Sequence, residues 1–193
     1  MVCMSRNLCV YCSSSSAIAP EYAETARELG VEMVACGWDL VYGGTTAGLM
    51  GVIADAVIEA GGRAIGVIPQ IISQRGIAHR SLTELIETAG MRERKAGMDV
   101  RADAFIALPG GFGTLEEVFE VLTLKQLQMH ERPVVFLNTL QFYSPLRTFL
   151  DRLIAGHFAK PESVALYHIA ETPRDALDYL DNYSPSGMGT KWL

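Results

Sequence analysis

Two kinds of block follow one another along the chain. Short apolar runs at 8–12, 39–42, 63–68, 82–88, 104–108 and 133–137, and a shorter one within 164–170, read as strands. Between them lie longer stretches with helical spacing, at 20–36, 48–60, 91–102, 114–130, 145–155 and 173–182. In the first of these, Leu29, Met33 and Cys36 recur at helical intervals and Glu21 and Glu24 suit the N-terminal turn. Gly37 and the Gly61-Gly62 pair stop the first two helices. Strand and helix alternate throughout, and several strands are apolar on both faces. That pattern predicts an α/β fold: a doubly wound, mostly parallel sheet with helices on both faces. Residues 69–81 are the longest irregular stretch. No interior linker interrupts the alternation, so residues 1–183 are expected to form one domain, and the Gly- and Ser-rich residues 184–193 a flexible tail.

Composition narrows the function. The 193 residues are 49% hydrophobic and carry a net charge of −6, with a mean hydropathy of +0.19. An acidic chain has no general attraction for nucleic acid or anionic membranes, so any phosphate chemistry must come from a local site. No run approaches the roughly 20 apolar residues of a membrane span, and 8–12 is too short for the core of a signal peptide; a cytoplasmic location is expected. Cys9 and Cys12 match C-x-x-C, but within a strand residues three apart point to opposite faces. They read as small core residues, and Cys3 and Cys36 do not complete a zinc-binding pattern.

In parallel sheets, ligands bind at the carboxyl ends of the strands, which directs attention to the loops at 13–20, 43–50 and 109–114. The last is the most informative. A buried strand turns through Pro109-Gly110-Gly111-Phe112-Gly113 and enters a helix at about Thr114. Glycines let backbone approach a ligand closely, and the free N–H groups of a first helical turn favour an anion. No Lys follows the glycines, so this is not a Walker loop. Thr114-Leu115-Glu116-Glu117 also fits a capping box, in which Thr114 and Glu117 satisfy helix-end donors; on local sequence alone, capping and catalysis remain open for Glu117. Upstream, Met91-Arg92-Glu93-Arg94-Lys95 places three cations in the first turns of a helix, against its dipole. That helix runs directly into the strand ending at Pro109, so one of the cations can face the same ligand.

Met91-x-x-Arg94-Lys95 followed by Pro109-Gly-Gly-x-Gly-Thr-x-x-Glu117 resembles the Lonely Guy family of cytokinin riboside 5′-monophosphate phosphoribohydrolases, whose members are often labelled lysine decarboxylases. The likeness runs from Val10-Tyr-Cys-Ser-Ser14 through Tyr42-Gly-Gly-Thr-Thr-Ala-Gly-Leu-Met-Gly51 and Gly66-Val-Ile-Pro69 to about Asn182. It implies a Rossmann-like homodimer that hydrolyses the N-glycosidic bond of a purine nucleoside 5′-monophosphate, cytokinin-type or AMP, without cofactor or metal, and without nucleic-acid or membrane partners. Residue by residue, it makes Arg94 and Glu117 the catalytic pair. It makes Lys95, Gly111, Phe112, Gly113, Thr114, Leu115, Glu116 and Thr123 substrate contacts. Three positions depart from the family pattern: Ser13 and Thr45 stand where glycines are common, and Gly76 stands where many members carry a substrate-contacting Glu. A non-catalytic nucleotide or molybdenum-cofactor carrier of similar fold is the alternative reading. Lysine decarboxylation would require a Schiff-base lysine, and Lys95 is the only lysine near the motifs.

Overall fold

The computed structural model describes residues 6–185; the expected tail lies outside them from residue 186 onward. Seven strands form one parallel sheet in the order β4-β3-β2-β1-β5-β6-β7. The strands are β1 (Arg6–Tyr11), β2 (Trp38–Tyr42), β3 (Ala64–Pro69), β4 (Glu84–Thr88), β5 (Ala104–Ala107), β6 (Val134–Leu137) and β7 (His168–Ala170). The helices are α1 (Pro20–Ala35), α2 (Gly48–Glu59), the three-residue α3 (Gln70–Ile72), α4 (Met91–Asp99), α5 (Phe112–Gln126), α6 (Ser144–Ala155) and α7 (Pro173–Asp181). The chain winds outward from β1 to β4, then returns to β1's other side for β5 to β7. Strand order therefore reverses between β1 and β5, where open α/β sheets leave a crevice for ligands.

Period-two alternation sorts β1 between two cores. Leu8, Val10 and Cys12 pack with α1, α2 and α7, through Leu29, Met33, Ile53, Val57 and Leu177. Cys9 and Tyr11 face the other side, with Met98 of α4 and Val118, Val121 and Leu122 of α5. The two cysteines thus sit on opposite faces, and burial pushes both thiols up, away from reactivity.

Two expectations need correction. Residues 69–81 are not irregular throughout: α3 leads into a π-helical turn, Ser73–Ile77, in which Gly76 adopts φ +76°, a conformation that favours glycine. No hydrophobic periodicity marks so short an element. The helix expected from Thr114 begins two residues earlier, with Gly111 as its N-cap and no side-chain cap bond. Thr114 is therefore already helical and Glu117 lies beyond the first turn, so the capping box does not form.

The C-terminus of α6 offers a stability test. His157 follows it at φ +61°, and its N–H and that of Phe158 bond to the carbonyls of Ile154 and Leu153, 3.0 and 2.8 Å. This is a helix-ending turn in which glycine avoids the left-handed penalty of an L side chain. His157→Gly is expected to raise unfolding stability by about 1 kcal/mol, read from chemical denaturation.

Candidate active site

The reversal point carries a cavity of about 520 Å³ built by five loops, all at the carboxyl ends of strands. Its contributors include Tyr11 of β1 and Ser13–Ser15 beyond it, Gly43, Thr45 and Met50 after β2, Pro69 at the end of β3 with Ile72, Arg75 and Ile77 beyond it, Met91 and Arg94 after β4, and residues 111–114 with Glu116 and Glu117 after β5. Its volume falls within the usual range for small-molecule sites. The lining includes the start of α5, where the N–H groups of Phe112, Gly113 and Thr114 have no intrahelical acceptor. Pro69, Ile72, Ile77 and Met91 add an apolar part to the lining.

Arg94 and Glu117 line the same cavity. Arg94 Nη1 donates to Glu117 Oε1, and both side chains are about 10% exposed. Arg94 Nε donates to the Val67 carbonyl at 3.2 Å, which ties the guanidinium to β3. Burial is the larger influence on Glu117 and pushes its pKa up, while Arg94 opposes the shift. The result is a carboxylate with only partly compensated desolvation, poised above the ordinary carboxylate range.

Glycines make this approach possible. A Cβ on Gly43 would fall on Arg94 Nη2 and lie 2.8 Å from Met50 Sδ, and a Cβ on Gly110 would collide with Thr114 Oγ1. The loops after β2 and β5 are thereby drawn against the groups that line the cavity.

The structure gathers Arg94, Gly111, Phe112, Gly113, Thr114, Glu116 and Glu117 around the one cavity. Phe112 stands at its mouth, 94% exposed. Three other residues from the sequence reading lie off it. Lys95 is held by Glu116 and by Glu120, 2.6 Å away, and these partners raise its pKa. Leu115 packs against the core beneath α5. Thr123 donates to the Phe119 carbonyl at 2.7 Å and lines a separate depression with Phe119, Leu150, Phe158 and Tyr167. Of the departing positions, Ser13 and Thr45 line the cavity. Thr45 Oγ1 also accepts from the Ala47 N–H at 3.3 Å and shapes the turn into α2. Arg75, Ile72, Ile77 and Tyr11 escaped the sequence reading. The first three sit in or beside the short π-helical turn, where no pattern announces a site, and Tyr11 reads as an ordinary core aromatic.

A family model described as "Possible lysine decarboxylase" matches residues 50–180. The cytokinin riboside 5′-monophosphate phosphoribohydrolase LOG of Oryza sativa subsp. japonica is 43% identical over 188 residues, 97% of this chain and 78% of that protein. The cytokinin riboside 5′-monophosphate phosphoribohydrolase LOG7 of Arabidopsis thaliana is 42% identical over 93% of this chain and 83% of its own length. Among solved structures, the molybdenum-cofactor carrier protein of Chlamydomonas reinhardtii superposes with a TM-score of 0.70 at 25% identity, covering 92% of this chain and 96% of that one. The molybdenum-cofactor binding protein of Rippkaea orientalis, 22% identical with a TM-score of 0.69 over the same shares, has the same fold. With more than nine-tenths of its length aligned at 42–43% identity to the LOG proteins, this chain belongs to the LOG family, the cytokinin riboside 5′-monophosphate phosphoribohydrolases.

Proposed function

We propose that this protein hydrolyses the N-glycosidic bond of purine nucleoside 5′-monophosphates, cytokinin-type or AMP, releasing the free base and ribose 5-phosphate. The observation that carries the reading is the buried Arg94–Glu117 pair lining one cavity together with an open helix N-terminus and apolar side chains. A 5′-phosphate on the N–H groups of residues 112–114 places the ribose beside Glu117 and the base against Ile72, Ile77 and Met91. Bond cleavage leaves positive charge on the sugar, which the Glu117 carboxylate stabilises. The Arg94 guanidinium orients that carboxylate and favours negative charge on the departing base. Lys95 steadies the same surface of α5 through Glu116.

Residues 1–183 act as one nucleotide-binding domain in this reading, in the cytoplasm and as a homodimer. Thr123 and its apolar neighbours Leu150, Phe158 and Tyr167 offer the second copy a face to cover. Among the described residues no helix is long and apolar enough to cross a membrane.

The site gives no support to lysine decarboxylation. A Schiff-base lysine must be neutral to react, whereas Glu116 and Glu120 hold Lys95 in its charged form. Lys125, whose pKa burial pushes down to about 8, does not line this cavity.

The likeness to molybdenum-cofactor carriers keeps a binding-only reading in view, and one assay separates the two. Purified protein incubated with AMP or a cytokinin nucleotide is expected to release free base, detected by chromatography. It should do so at least about 100-fold faster than from the matching nucleoside, because the remote phosphate supplies binding energy that orients the sugar. Equal rates on nucleoside and monophosphate would remove the phosphate anchor. Tight binding with no base released would favour a carrier.

A further inference from the structure

Behind Glu117 lies a second cavity, of about 340 Å³, between α4 and α5. Arg92, Lys95, Ala96 and Asp99 line it from α4, Glu120, Val121 and Leu124 from α5, and Tyr11 from β1. Two residues belong to both cavities, Glu117 and Tyr11, while Arg94 lines only the larger. Glu117 therefore borders both cavities. Tyr11 is 4% exposed and stacks on Phe105, with ring centroids 6.2 Å apart and planes 10° from parallel. This stacking fixes the ring at the edge shared by the two spaces.

The hydrolysis proposed above needs a water at the anomeric carbon on the face opposite the departing base. A nucleotide held at residues 112–114 would occupy the larger cavity, and the smaller one is the other space that Glu117 borders. The smaller one remains open and is roomy and polar enough to hold water.

We propose that the cavity between α4 and α5 delivers the attacking water to Glu117, with Tyr11 as a positioning residue. The C1′–N bond breaks and its electron pair leaves with the base, while the water oxygen bonds to C1′. One water proton passes to the Glu117 carboxylate and from there, through solvent, to the base. The sum is nucleotide plus water giving base plus ribose 5-phosphate. Lys95, bridging Glu116 and Glu120, forms the outer rim of this route.

The inference rests on the phosphoribohydrolase reading, and its test keeps the two apart. Ala96→Trp fills the smaller cavity from an exposed position of α4, and Tyr11→Phe removes the hydroxyl while keeping the ring stack. Steady-state kinetics on the best nucleotide and inhibition by ribose 5-phosphate are measured for both variants and the unaltered protein. Each variant is expected to lose about 10- to 100-fold in kcat, the scale of a misplaced reacting group, with KM and ribose 5-phosphate affinity within about twofold. The acid limb of the pH profile should stay where Glu117 puts it. A kcat within twofold of the unaltered protein in either variant overturns the water route, as does a rise in KM that accounts for the whole loss. If the unaltered protein releases no base from any nucleotide, the underlying reading falls, and the route with it.

Discussion

Glu117→Gln is expected to lower kcat for base release by about 10²- to 10⁴-fold, the usual range for losing a positioned acid–base group, with the fold intact. Gln keeps an oxygen for the Arg94 guanidinium to donate to, but cannot take a proton or stabilise a cationic sugar. The choice of variant matters. Glu117→Ala would leave Arg94 buried and unpaired, at a cost of about 3–5 kcal/mol, and lost activity could then reflect unfolding. The sign of the pKa shift supports the isosteric variant. Burial raises the Glu117 pKa in the folded chain, so the folded state favours the proton more than the unfolded state does. The associated stability is present at low pH and is lost as pH rises through the raised pKa. A permanently neutral Gln escapes that loss, so the thermal unfolding temperature of Glu117→Gln near neutrality should equal or exceed that of the parent. Activity has the opposite dependence, because the carboxylate form does the work. It should fall on acidification with a midpoint above the ordinary value of 4.5, and this limb should vanish in whatever activity Glu117→Gln retains.

Gly43→Ala is the second large effect, and it is informative because the substituted residue carries no chemistry. The added methyl group would meet Arg94 Nη2 and Met50 Sδ, both at the far ends of flexible side chains. The fold can yield there at little cost, and a melting temperature within a few degrees of the parent is expected. Catalysis cannot yield in the same way. Moving the guanidinium breaks its bond to Glu117 or its 3.2 Å bond to the Val67 carbonyl, and a displacement of about 1 Å at a reacting group costs about 100-fold in rate. A kcat near that of the parent would show that Arg94 need not hold this position. A large drop in melting temperature would mean instead that the loop after β2 is the rigid partner.

These expectations draw on different kinds of information. Most of the sheet is legible in the sequence, because a strand buried on both faces has to be written almost entirely in apolar residues. Residues 104–107 and 134–137 read Ala-Phe-Ile-Ala and Val-Val-Phe-Leu, and all eight are buried. Glycine stops give α1 and α2 to within a residue. The start of α5 was less legible, since a local rule favoured Thr114 as its cap while the chain, through Gly111, could enter the helix earlier. Once the capping box is absent, the Glu117 side chain is free for a partner 23 positions away.

The sequence alone determined the layered α/β architecture, the glycine corner at 109–113 and the cation-bearing helix at 91–95, because each is a local pattern tied to a backbone requirement. The resemblance named Arg94 with Glu117, but only the tertiary structure brings the two into contact and shows what holds the neighbouring cations away. Arg92 is exposed, Lys95 is taken by Glu116 and Glu120, and Arg94 alone of the three reaches Glu117 while bonded to β3. Spacing on one helix restricts which directions its side chains take, but where the neighbouring strand ends and which glycine makes room are set by the packing of separate segments. The same packing opened the cavity behind Glu117, whose lining comes from β1, α4 and α5 and leaves no contiguous trace along the chain.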